Sequence, residues 1–161
     1  MEERDKARLL SNLQSLPNEL HDLIEGLSDD ELRWRPIPNK WSICEILAHL
    51  RDVEREVFQV RLRRVFTEEN PTYELWDQEA AAAHRDYLGQ SGRLALEEFR
   101  AARDETVGDL AGVPVEMWQR AGNHPERGTE TAEGLITRQI RNHDVTHMIQ
   151  VKDILRIKMP W

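Results

Sequence analysis

Apolar residues recur through most of the chain at steps of three and four, the period of a helix that turns one oily stripe toward its neighbours. Leu13, Leu16, Leu20, Leu23 and Leu27 form the first such stripe. Pro17 lies inside it and is expected to kink or restart the helix, because proline has no N–H to give the carbonyl four residues back. SDDEL (28–32) and RPIPNK (35–40) read as a loop, since two prolines bar a regular helix. A new start follows at WSICE, where Ser42 can cap and Glu45 can reach back in a capping box. Ile43, Ile46, Leu47, Leu50, Val53, Val57 and Val60 then mark the buried side of a second helix running to about Phe66.

The stretch ENPTYELWDQEAAAAHRDYLGQSG is too long for a bare loop, and Trp76, Ala80, Ala83 and Tyr87 suggest a short helix within a long crossing connection. A third long helix is expected from about Ser91 to Leu110, with Leu96, Phe99, Thr106 and Leu110 near the core. AGVPVEMWQRAGNHPERGTE breaks the pattern, and a fourth helix is expected from Thr131 to Ile157. No sustained alternation of apolar and polar residues signals a strand. The expectation is an all-α, four-helix bundle with a long crossover connection containing a short helix, formed as a single domain over residues 1–161.

Charge narrows the function classes. Thirty acidic against 22 basic residues leave a net charge of −8, which works against a polyanionic partner, so neither nucleic acid nor an anionic membrane surface is expected. No apolar run approaches the ~20 residues needed to span a bilayer. One cysteine, Cys44, excludes an internal disulfide framework, and MEERDKARLL lacks the apolar core of a signal peptide. A cytoplasmic location is expected.

The chemistry lies in the fourth helix. Ile136, Ile140, His143, His147, Val151 and Ile154 follow helical steps, so both imidazoles stand in the apolar stripe itself. Four residues at a rise of 1.5 Å put them about 6 Å apart along the axis and about 40° apart around it, within reach of one ion. On the second helix His49 falls between Ile46 and Val53, beside the buried side. A lone buried histidine is usually a hydrogen-bonded core residue. Two in one stripe among Ile and Val side chains lack such partners, and a shared cation answers both. Three imidazoles from two helices leave a position open for water or substrate, as a reactive metal site requires.

HDVTH resembles the HExxH of zinc proteases, but Asp144 replaces the glutamate that serves as general base. A di-iron bundle would want a Glu-x-x-His motif, and no histidine here has a glutamate three residues earlier. Asp52, one turn after His49, is placed either to orient an imidazole or to lie solvated on the surface. His84 is a candidate to line a pocket or to sit at the surface, and His124, before Pro125, a candidate to guard the mouth of the site. His21 should be exposed and Cys44 buried. Arg61, Arg63 and Arg64 read as a solvated basic face, and Trp34, Trp41, Trp76, Trp118 and Trp161 as packing for loops.

KWSICEILAHLRDVEREVF, followed much later by NHPERGTETAEGLITRQIRNHDVTHMIQVKDIL, resembles the DinB-like superfamily of metal-binding four-helix bundles. The specific parts are W-S-x-x-E-x-x-x-H (Trp41, Ser42, Glu45, His49) and H-D-x-x-H-x-x-Q (His143, Asp144, His147, Gln150). The resemblance implies a divalent metal, nickel or zinc, held by His49, His143 and His147, with Gln150 among the residues beside them. It also implies a homodimer, which the N-terminal leucine stripe would suit if part of it stays exposed. Relatives of this kind include thiol transferases that use glutathione-type thiols.

Two function classes stay open. One is an enzyme acting on a small molecule, either transferring a low-molecular-weight thiol ionised by the metal or hydrolysing a substrate with metal-activated water. The other is a non-catalytic bundle clipped by its metal, with a stress-response or interaction role.

Overall fold

A computed structural model of the chain describes residues 1–158, so Trp161 lies outside the described residues. Four helical rods form the bundle. The first is α1 (Glu3–Ile24). After it comes a short helix, α2 (Asp29–Arg33), where a loop was expected. Its origin is a second capping box: the Ser28 hydroxyl accepts from Glu31 N, and Glu31 reaches back to Ser28 N.

The second rod begins with α3 (Ile43–Val53), opened by the expected Ser42–Glu45 capping box. It continues without a break through one π-helical turn (Glu54–Phe58) into α4 (Gln59–Thr67). A π-turn inserts one residue, and the buried face accordingly runs in steps of four from Leu50 through Glu54 and Phe58 to Leu62, and on to Val65. Val57 is therefore only half-buried and Val60 is 37% exposed, contrary to the stripe expected of an unbroken α-helix.

The crossing connection carries α5 (Gln78–His84), which is capped by Asp77, and a 3-10 turn at Tyr87–Gly89. Ala81 and Tyr87 face the core, while Ala83 is exposed. Two of the three arginines expected on a solvated face instead hold this connection against α4. Arg61 Nη2 donates to Glu74 O at 3.0 Å and Arg64 Nη1 to Thr72 O at 2.7 Å; Arg63 is exposed.

The third rod is α6 (Gly92–Gly112), whose Ser91 cap accepts from Leu94 N. A 3-10 turn (Val115–Gln119) leads into a two-stranded antiparallel hairpin, β1 (Ala121–His124) and β2 (Gly128–Thr131). No strand was expected here. The hairpin has no apolar alternation to announce it; Gly128 supplies the left-handed backbone at φ +81°. Asn123 completes it by exchanging backbone bonds with Tyr73 N and Pro71 O of the crossing connection. The fourth rod comprises α7 (Ala132–Arg138), a second π-turn (Gln139–Asp144) and α8 (Val145–Lys158).

Leu13, Leu16 and Leu20 are all buried, with Leu23 and Leu27 packed against the core. The first stripe thus belongs mainly to the bundle interior, with Leu23 and Leu27 half-buried. Pro17 neither ends nor restarts α1. The Leu13 carbonyl that it leaves without an amide donor accepts instead from Arg103 Nη1 at 2.7 Å. Among the described residues no helix is long and apolar enough to cross a membrane.

Candidate metal centre

His49 comes from α3, His143 from the second π-turn and His147 from the first turns of α8. The structure brings them together. One nitrogen from each can be chosen so that all lie within 4.8 Å of one another, and the ring centroids are 4.5 to 5.2 Å apart. His49 is 1% exposed. Its ring lies between Trp41 at 5.0 Å and Trp76 at 6.0 Å.

The electrostatics favour neutral rings. Burial first, then the neighbouring His147 and His143, push His49 down to about 2. Burial and His143 push His147 down to about 4, against the opposing bond to Gln150. Both therefore keep a free lone pair at neutral pH. His147 Nδ1 lies 2.8 Å from Gln150 Oε1; donating its proton there leaves Nε2 as the lone-pair nitrogen. His143 Nδ1 meets the side-chain amide of Gln139 at 3.0 Å.

The donor set fits a divalent ion. Two nitrogens held about 2.0–2.1 Å from one ion at common coordination angles stand roughly 3.0 to 3.4 Å apart, and His49 Nε2 lies 3.1 Å from His143 Nε2. His49 Nδ1 is buried with no hydrogen-bond partner. An ion on Nε2 would leave the proton on this unpartnered Nδ1, a cost of about 1–3 kcal/mol that coordination has to outweigh.

The cluster is not sealed. His147, Gln150 and Trp41 stand in the wall of a cavity of about 600 Å³ that also presents Ile154, Glu79 and Lys40.

The other candidates fall elsewhere. Asp52 is neither solvated nor bonded to an imidazole: it is buried and accepts from Tyr87 OH at 2.6 Å, Arg51 Nε at 2.8 Å and Arg85 Nη1 at 2.8 Å. These donors hold its carboxyl below the usual range despite burial. His84 is exposed at the end of α5 and lines none of the cavity described above. His124 does not guard the mouth. It is buried in β1, where its Nδ1 accepts from Glu126 N and Arg127 N and so shapes the hairpin turn. His21 is part-exposed beside Asp22. Cys44 is buried as expected, donating to the carbonyls of Tyr87 and Gln90, and burial raises its thiol pKa.

One group near the site was not foreseen. Arg103 on α6 is fully buried and pairs with Asp144 at 2.8 Å and with Glu54 at 3.0 Å. Its position was legible: Leu96, Phe99, Arg103, Thr106 and Leu110 keep the three-and-four spacing, so a guanidinium occupies a core position of the stripe.

Fold and site together define a four-helix bundle with an open three-imidazole donor set. The chain belongs to the DinB superfamily, which it matches over residues 12–151. It is 27% identical over 148 residues to the uncharacterized protein YuaE of Bacillus subtilis (strain 168), covering 81% of this chain and 87% of that one. It is 22% identical over 152 residues to "Putative metal-dependent hydrolase BH0277" of Halalkalibacterium halodurans, covering 93% and 88%. Among solved structures it resembles YfiT from Bacillus subtilis, described as "a probable metal-dependent hydrolase with an unusual four-helix bundle topology". That match has a TM-score of 0.88 at 19% identity, over 100% of this chain and 91% of that one.

Proposed function

We propose that the chain is a divalent-metal-dependent enzyme in which His49, His143 and His147 hold one ion and a small, partly apolar substrate occupies the cavity beside His147. The observation that carries this reading is the opening of the cluster onto that cavity; an ion that only clips helices together calls for a closed site with four protein ligands. Three neutral imidazoles suit zinc or nickel. When bound, the ion would supply Lewis-acid activation and a nucleophile ionised near neutral pH.

The chain's own groups do the rest. Trp41 and Ile154 offer the substrate an apolar wall. Gln150 holds the Nδ1 proton of His147 and so fixes the tautomer and the ring. The same wall holds two carboxylates, Asp153, which pairs with Arg156, and Glu79, in the first turn of α5, to which we assign the role of proton acceptor. Hydrolysis is the reaction these groups support, in keeping with the names of BH0277 and YfiT. Thiol transfer is the second reading, favoured by Lys40 in the same wall, which could receive a carboxylate of a glutathione-type thiol.

Zinc- or nickel-loaded protein assayed on ester and amide panels, and separately with thiols and electrophiles, distinguishes these. Hydrolysis without thiol that is lost in His147→Ala and falls roughly 10²-fold or more in Glu79→Gln supports the first reading. Turnover that requires the thiol supports the second. A bound metal that stabilises the fold with no turnover on either panel supports a structural clip.

A further inference from the structure

The buried Arg103 network calls for an explanation that stability does not supply. Replacing a buried ion triad by apolar side chains of similar volume commonly leaves a protein as stable or more so. Here the guanidinium occupies a core position of α6, over the Phe99 ring at 5.0 Å. It reaches three rods at once. Nη1 donates to Asp144 Oδ2 and to the Leu13 carbonyl orphaned by Pro17, and Nη2 pairs with Glu54 Oε2.

The two carboxylates stand at the chain's two π-turns: Glu54 opens the one in the second rod and Asp144 closes the one in the fourth. These are the two rods that carry the histidines. Asp144 lies between His143 and His147 in sequence. The Gln139 amide bridges Asp144 Oδ1 at 3.4 Å and His143 Nδ1 at 3.0 Å. Thr106, also on α6, donates its hydroxyl to Glu54 Oε1 at 2.6 Å. A continuous polar chain thus runs from α6 to the His143 ring.

We infer that Arg103 is a positioning residue for the metal centre: by clamping Glu54 and Asp144 it holds the two π-turns in register, so that His49 on one rod and His143 and His147 on the other converge on one ion. The inference rests on the metal reading above. A lysine in its place keeps the charge and loses the fork that meets two carboxylates and a carbonyl together.

The test measures Zn²⁺ affinity by competition titration, Co²⁺ absorption as a probe of ligand geometry, and metal-free melting temperature. Variants are Arg103→Lys, Asp144→Asn, and Val65→Ala as a buried control remote from the network. Arg103→Lys and Asp144→Asn should bind Zn²⁺ about 10- to 100-fold more weakly and alter the Co²⁺ spectrum. Val65→Ala, though it melts lower, should bind as wild type. Folded Arg103→Lys with wild-type affinity and spectrum overturns the inference, as does affinity in Val65→Ala that falls in proportion to its melting temperature. If Arg103→Lys does not fold, Asp144→Asn, in which Glu54 still pairs with Arg103, decides by the same criterion. Wild-type protein that binds neither ion overturns the metal reading and this inference with it, whereas wild-type binding unchanged in the variants overturns this inference alone.

Discussion

Arg103 and His49 are equally buried, one in α6 and one in α3, yet their surroundings treat them oppositely. The terminal nitrogens of Arg103 meet two carboxylates and a carbonyl at 2.7 to 3.3 Å, which leaves its Nε as the one guanidinium nitrogen without a hydrogen-bond partner. His49 has an Nδ1 with no partner and an Nε2 that faces another ring nitrogen. Burial alone therefore does not distinguish structure from function. Where buried polar groups pair with opposite charges they fix geometry; where ring nitrogens converge with no carboxylate among them, a cation can take the place of a shared proton.

The contrast breaks most visibly at Arg103. Arg103→Ala strands two buried carboxylates and should cost about 3–5 kcal/mol, lowering the melting temperature by about 10 °C at this chain length. A calorimetric fall of less than about 1 kcal/mol would mean that the network is dispensable. The histidine side responds to an ion instead. Zn²⁺ at about 100 times its dissociation constant should add about 2.7 kcal/mol to wild-type stability, a rise of roughly 5–10 °C that is absent in His147→Ala.

Acid sharpens the same comparison in metal-free protein. An unfolded histidine titrates near 6.5, while burial and the neighbouring rings push folded His147 down to about 4 and His49 down to about 2. Below pH 6.5 the unfolded chain takes up protons that the folded chain refuses, so stability is full above that pH and falls as pH drops, until about pH 4 for His147 and about pH 2 for His49. Between pH 6.5 and 5.5 the two should together remove about 2 kcal/mol. Denaturant midpoints across this window check it, and the slope should weaken in His49→Leu.

Much of this was readable from spacing. Leucine and isoleucine stripes placed the long helices, the Ser42–Glu45 pair marked the start of α3, and His143 with His147 stood out as polar residues in an oily stripe. The π-turns were not readable, because each inserts a residue that no local propensity announces. One consequence is that Val57 and Val60 lie outside the core. The hairpin at Ala121–Thr131 was also silent, since its strands draw on bonds to Pro71 and Tyr73, far away in sequence. Asp52 and His124 went astray for a related reason: their roles depend on Tyr87, Arg85 and the hairpin turn, partners that only the tertiary fold supplies.

Whether three imidazoles from two rods share one cation can be read from anomalous scattering of crystals of zinc-loaded protein. One peak per chain is expected, about 2.0–2.1 Å from a nitrogen of each of His49, His143 and His147, with a further position facing the cavity. Fully loaded crystals with no peak among these rings, or with the ion bound elsewhere, would contradict it.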